Sequence, residues 1–182
     1  MHRSLRPEAP TPDAPILRGG LFAWAASPQG EISLLAGPEG LRASWLRAHP
    51  FEALAAKGAE LGSSEAAGHL RRAVAQLGEY FKGERVDFDL TLAPSGTPFQ
   101  MSVWKALRGI PHGSAISYAE LAARCGSPKA SRAVGGANGR NPIPIIIPCH
   151  RVIAADGALG GFSSGLDNKR ALLALEGVAF RG

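Results

Sequence analysis

The sequence predicts a chain in two parts: a small α/β unit of antiparallel sheet and helices over residues 16–93, then a mainly α unit over residues 94–182 containing a helix-turn-helix. Three observations carry that expectation. Leu21–Ala26 and Glu31–Ala36 flank Ser27-Pro28-Gln29-Gly30, the composition of a hairpin loop. Two capping boxes, Thr97 to Gln100 and Ser117 to Glu120, open successive helices. A proline-laced apolar segment, Asn141 to Ile153 (NPIPIIIPCHRVI), then ends in Cys149-His150-Arg151.

In chain order, residues 1–15 hold prolines at 7, 10, 12 and 15 and few large apolar groups, so a flexible leader is expected there. After the hairpin, Leu41–His49 is expected as a short helix, whereas the alanine- and glycine-rich stretch from Ala53 to Ser64 has no clear pattern. Glu65–Lys82 reads as a helix because Leu70, Val74, Leu77 and Phe81 recur at helical spacing, with Gly83 as its stop. Val86, Phe88 and Leu90 alternate with Asp87, Asp89 and Thr91, the period of a half-buried strand. Nothing in 16–93 looks catalytic; Trp24, Trp45 and Phe81 are expected in the core.

Ala93-Pro94-Ser95-Gly96 reads as the link to the second part. Pro98 at the first helical position predicts a helix running to about Arg108. Ser117 opens a short helix that Gly126 ends, and Ser127-Pro128 starts a third that runs to about Arg140. Two short helices across a tight glycine-containing turn are what a helix-turn-helix requires. On the third helix Lys129, Arg132, Gly136 and Arg140 share one side and Ala130, Val134 and Ala137 another. Gly135 and Gly136 weaken that helix unless something comes very close: a nucleic-acid backbone or groove, or a neighbouring helix packed tightly.

The Asn141–Ile153 segment is expected to be a stiff, extended apolar arm, because Pro142, Pro144 and Pro148 suit neither a helix interior nor a central strand. A thiol followed by an imidazole and a guanidinium suits a cysteine that becomes a thiolate on demand. These residues alone leave a second reading open, since free cysteine is often a small buried hydrophobe. The composition, 45% hydrophobic and 19% charged, is globular, and there is neither a membrane-length apolar run nor the apolar middle of a secretion signal in MHRSLRPEAPTPDAP. A cytoplasmic protein is expected. The net charge of +5 permits attraction to phosphate backbones without requiring it. Two cysteines, Cys125 and Cys149, are too few for a disulfide framework, and no metal site is expected.

The stretch from Tyr80 to Gly177 resembles the methylated-DNA protein-cysteine methyltransferase family, which repairs guanine alkylated on its ring-6 oxygen. The matching pieces are GTPFQMSVWKALRGIP at 96–111, ISYAELA at 116–122, SRAVGGANGRNPIPIIIPCHRVI at 131–153, GGFSSGL at 160–166 and LLALEG at 172–177. The resemblance implies a ribonuclease H-like amino-terminal domain and a helix-turn-helix whose second helix enters the minor groove. It implies a monomer acting on double-stranded DNA without a cofactor, flipping out the alkylated guanine. The alkyl group passes to Cys149, with His150 as base through a water and Glu176 orienting it. Tyr118 donates toward the guanine ring, and Asn141 joins the recognition helix to the active-site arm.

By the same resemblance Arg132 fills the vacated stack, and Ser131, Lys129, Gly135, Gly136, Ala137 and Arg140 complete the DNA-binding set. Pro144, Val152, Phe162 and Ser163 line the substrate pocket, whereas Arg151 is expected to be structural. No second nucleophile is evident to break a thioether, which implies one turnover per protein. The chain departs from the family at His112, Ala115 and Ser164, and its first part lacks zinc-holding cysteines. Two rival readings are a non-catalytic damaged-guanine-binding module that recruits repair factors, and a cysteine hydrolase using Cys149 and His150.

Overall fold

A computed structural model describes residues 20–46 and 64–181. The expected leader and residues 53–63 of the patternless Ala53-to-Ser64 stretch lie outside the described residues. The predicted hairpin is present: β1 (Leu21–Ser27) and β2 (Gly30–Gly37) pair antiparallel with Ser27 opposite Gly30, and Ser27 Oγ donates to the Gly30 carbonyl at 2.6 Å. The expected helix after it is instead a strand, β3 (Gly40–Leu46), antiparallel to β2; residues 47–49 of that expectation are not described. A short segment beside the open edge of β2 satisfies its backbone in a ladder, and this outweighs weak helical propensity.

Helix α1 (Glu65–Phe81) forms as predicted, capped by Ser64, whose hydroxyl accepts from the Ala67 amide. Its buried line is Ala66, Leu70, Ala73, Leu77 and Tyr80, while Val74 and Phe81 are only half-buried. The helix is therefore rotated from the expected stripe, setting small alanines against the sheet and Tyr80 inward. Trp24 and Trp45 are also half-buried rather than central. Residues 86–91 alternate in burial from Phe88 onward, but no strand forms there. One bridge, Leu41 to Leu92, joins the segment to β3, and Gln76 satisfies Asp89's backbone through its side chain.

Helix α2 (Pro98–Leu107) has its complete Thr97–Gln100 capping box. Strand β4 (Ile116–Ser117) leads into α3 (Tyr118–Arg124), capped reciprocally by Ser117 and Glu120. Gly126 then turns the chain at φ +70°. Helix α4 spans Ser131–Gly139, starting later than expected; Ser127–Ala130 form a turn in which the Ala130 amide reaches the Ser127 carbonyl. A 3-10 turn (Cys149–Arg151), strand β5 (Val152–Ile153), parallel to β4, and α5 (Leu166–Leu175) complete the described chain.

One continuous apolar core crosses the expected boundary at 93/94, running from Ala25 and Leu34 through Leu70 and Tyr80 to Trp104, Val134, Ile143 and Leu172. Hydrogen bonds from Ser44, through its amide and hydroxyl to the carbonyls of Pro142 and Pro144, pin the proline-laced segment to β3. No helix among the described residues is long and apolar enough to cross a membrane.

Candidate active site

The segment leading to Cys149 is not the extended arm its prolines suggest. It folds on itself: the Ile147 amide donates to the Ile143 carbonyl, and Pro144 bridges Ile147. Ile145 takes φ +75°, the one non-glycine among the described residues at positive φ and a costly setting for a β-branched side chain. Asn141 closes the loop, its Nδ2 donating to the Ile147 carbonyl at 2.7 Å and its Oδ1 accepting from the Ile143 amide at 3.0 Å. The prolines supply the rigidity that sequence reasoning assigned them, but the shape is a tied bend.

Cys149 sits at the end of this bend, 2% exposed. Burial pushes its thiol up to about 11, opposed by the Asn141 side chain hydrogen-bonded to it and by the charge of Lys169. A thiol in that condition is protonated near neutral pH and must be activated at the moment of reaction. Asn138 of α4, also buried, contacts the Cys149 carbonyl through Nδ2 at 3.4 Å. The helix and the sulfur-bearing turn are thus in direct contact.

The next two residues meet one carboxylate. His150 Nε2 lies 2.8 Å from Glu176 Oε1, and Arg151 forks onto Glu176 with Nε to Oε2 at 2.8 Å and Nη2 to Oε1 at 2.9 Å. Arg151 Nη1 donates to the Ile110 carbonyl at 2.6 Å. All three side chains are buried. Although burial alone would raise it, the His150 and Arg151 partners hold the Glu176 carboxyl well below the ordinary range. Burial lowers the basicity of His150 and Glu176 opposes that. The other imidazole nitrogen, Nδ1, is buried with no protein partner.

Sequence reasoning missed two members of this cluster. Tyr80, from the half expected to hold no functional residue, donates its hydroxyl to Glu176 Oε1 at 2.7 Å. Lys169 is fully buried, its ammonium bonded to the carbonyls of Val152 and Leu159, and burial lowers it to about 8. Arg151, expected to be structural, is the principal clamp on Glu176. Helical spacing held the clues: Tyr80 follows Leu77 by one turn, and Lys169 shares a face with Leu172, Leu173 and Glu176. A polar tip or an ammonium on a buried face demands partners.

Tyr118 is half-buried at the start of α3; burial raises its hydroxyl, as a thiolate at Cys149 would, and a hydrogen bond from the Gly161 backbone opposes this. A Cβ at Gly160 (φ +66°) would stand 3.0 Å from its hydroxyl oxygen, and one at Gly135 would meet its ring at 3.5 Å. Gly160 is therefore required by the close approach of Tyr118, whereas Gly135 makes an ordinary helix-to-helix contact. Gly136 is exposed, flanked by exposed Arg132 and Arg140.

Two expected DNA-facing positions move. Ala137 is 3% exposed and turns inward, its carbonyl accepting from Trp104 Nε1 at 3.0 Å. Lys129 is exposed but lies on the turn before α4, and half-buried Ser131 is the first residue of the helix. Of the expected pocket residues, Pro144 and Val152 are buried, Phe162 packs half-buried on the core, and Ser163 is exposed. The Val152 carbonyl already accepts from Lys169 at 2.6 Å. Among the described residues no group of His, Cys, Asp and Glu is arranged to hold a metal ion.

Residues 98–178 match the model of the 6-O-methylguanine DNA methyltransferase DNA binding domain. A methylated-DNA–protein-cysteine methyltransferase of Methanosarcina acetivorans is 61% identical over 107 residues, covering 59% of this chain and 69% of the relative. A constitutive one of Bacillus subtilis is 52% identical over 114 residues, covering 62% and 69%. Among solved structures, Mycobacterium tuberculosis O6-methylguanine methyltransferase superposes with a TM-score of 0.74 at 42% identity, covering 87% of this chain and 93% of that one. The M. tuberculosis OGT in complex with DNA gives 0.72 at 42% identity, covering 86% and 92%.

Proposed function

The chain belongs to the methylated-DNA–protein-cysteine methyltransferase family, and from that premise we propose how its residues divide the work. It is a DNA-binding repair protein that transfers an alkyl group from guanine in DNA to its own cysteine. The observation that carries the residue assignment is the buried Cys149 followed directly by His150 and Arg151, both bound to Glu176.

In this reading α3 and α4 act as a helix-turn-helix, with α4 entering the minor groove of double-stranded DNA. Its exposed Arg132, Gly136 and Arg140, with Lys129 on the turn, face the phosphates and groove. Arg132 enters the base stack as the alkylated guanine swings out, an extrusion that costs a few kcal/mol of stacking and pairing. The base enters beside Tyr118, Pro144 and the 160–163 loop.

The Cys149 proton passes through a solvent molecule to His150 Nδ1, and Glu176 steadies the resulting imidazolium. The thiolate then attacks the alkyl carbon in line. A sulfur–carbon bond forms, the bond from carbon to the ring-6 oxygen breaks, and that oxygen takes the electron pair. Tyr118 donates a hydrogen bond to the ring as charge develops. Asn141 and Lys169 lower the cost of thiolate formation. A thioether has no exit by this route, so each molecule reacts once as a monomer.

The functional division falls near residue 94, with a ribonuclease H-like first part bracing a second part that carries the chemistry. Incubating the protein with duplex DNA containing O6-methylguanine, then weighing the tryptic peptide that holds Cys149, tests the assignment. One added methylene is expected; an unmodified peptide with methyl left on the DNA would overturn it.

A further inference from the structure

Four hydrogen-bond contacts converge on the Glu176 carboxylate, and three meet one oxygen. Oε1 contacts His150 Nε2 at 2.8 Å, Arg151 Nη2 at 2.9 Å and the Tyr80 hydroxyl at 2.7 Å; Oε2 takes Arg151 Nε at 2.8 Å. Arg151 alone fixes the orientation of the carboxylate, because its fork engages both oxygens and is itself tied to the Ile110 carbonyl. Tyr80 therefore adds nothing that orientation requires. Its phenol shares the same oxygen as the imidazole and so competes with it for the negative charge.

We propose that Tyr80 is a positioning residue for alkyl transfer: from helix α1, 96 residues away in sequence, its hydroxyl withdraws charge from Glu176 and sets how strongly His150 binds its proton. The inference rests on the alkyl-transfer reading and deepens it, because it brings the first part of the chain into the chemistry of the second. Tyr80 is 1% exposed and stays neutral, its ionisation driven up by burial and by Glu176. It thus acts only as a donor.

The groups around this pair come from every side. Cys149 and Arg151 flank His150 on its own turn; Glu176 and Lys169 approach from α5 and the residue after it; Tyr80 comes from α1; and the His112 ring stands edge-on to Tyr80 at 6.2 Å. Arg151 and Lys169 both oppose protonation of the imidazole, so Glu176 is its one anionic support among these groups when Cys149 is a thiol. A donor that weakens this support makes the imidazole a weaker base. It stays neutral, ready to accept the thiol proton, to lower pH.

The test is an NMR titration of the His150 imidazole in full-length protein, alongside the pH profile of single-turnover transfer from O6-methylguanine duplex. Tyr80→Phe should move the His150 midpoint and the acid limb of transfer to higher pH, by about half a unit. Replacing Tyr80 with 3-fluorotyrosine, a stronger donor on the same ring, should move both the other way. Midpoints unchanged across all three proteins would overturn the proposal and leave Tyr80 a packing residue. If the Phe protein fails to fold, the fluorotyrosine protein decides. If the unaltered protein leaves the methyl group on DNA, the alkyl-transfer reading fails, and the imidazole titration still decides the role of Tyr80.

Discussion

The exposed face of α4 and the bend that follows it directly in sequence are built on opposite principles. On α4, Arg132 and Arg140 stand in solvent beside bare glycine backbone. From Asn141 to Arg151 every residue but Pro142 is buried, and polar groups are tied to one another. The contrast separates two tasks. A face that must fit DNA keeps its cations hydrated and adjustable, while a centre that must activate one sulfur fixes its partners beforehand, where low dielectric makes each contact count. Salt should therefore act on the first region and hardly on the second.

The strongest way to break this division is at the sulfur. Cys149→Ser should abolish transfer altogether while duplex affinity, read by fluorescence anisotropy, changes by less than about threefold. A large loss of affinity would mean that the two regions are not separable. Glu176→Gln comes next. It leaves Arg151 and His150 without their anion and should cost about 3–5 kcal/mol in denaturant unfolding, with transfer slowed about a hundredfold or more.

The same carboxylate gives the division a pH signature. Its folded-state pKa is depressed, so its stabilisation is complete above the unfolded value near 4.3 and is lost as pH falls toward the folded value. The melting temperature of the parent protein should therefore fall more steeply below pH 4.5 than that of Glu176→Gln.

How much of this was legible in the chain follows the same split. The capping boxes at Thr97 and Ser117, the stop at Gly126 and the two sides of α4 could be read because they are local, set by hydrogen bonds three or four residues apart. Cys149 and His150 stood out as a pair, and family resemblance carried Glu176. What stayed hidden depends on partners distant in sequence. Strand β3 forms because β2 offers an edge; the Asn141 loop bends because Ile147 and Ile143 share one side chain; Tyr80 and Lys169 gain meaning only once α1 and α5 enclose the turn. The resemblance placed Ala137 in the DNA-binding set, whereas the spacing along α4 had put it beside Val134, the buried side on which it lies with its carbonyl taken by Trp104.

Smaller changes on the outer face sharpen the comparison. Arg132→Ala should slow repair of a duplex site about tenfold but leave repair of the same base in single-stranded DNA within about twofold, because only the duplex demands extrusion. Equal losses on both substrates would remove Arg132 from the stack. The mildest effect belongs to Arg140→Ala. It should weaken duplex binding by about 1 kcal/mol or less and lower the dependence of log affinity on log salt by close to one unit, with the transfer rate at saturation unaltered.

Ile145 adds a consequence that outlasts any single contact. An isoleucine wound left-handed carries on the order of 1–3 kcal/mol of misfit, and here it is held by the clasp of Asn141 and the anchoring of Pro142 and Pro144 to β3. The bend behaves like a cocked catch whose set position is the working one. Loosening the clasp would let the backbone relax toward the negative φ an isoleucine prefers, dragging the sulfur out of line while leaving each helix intact, so a molecule could look whole and still be disarmed.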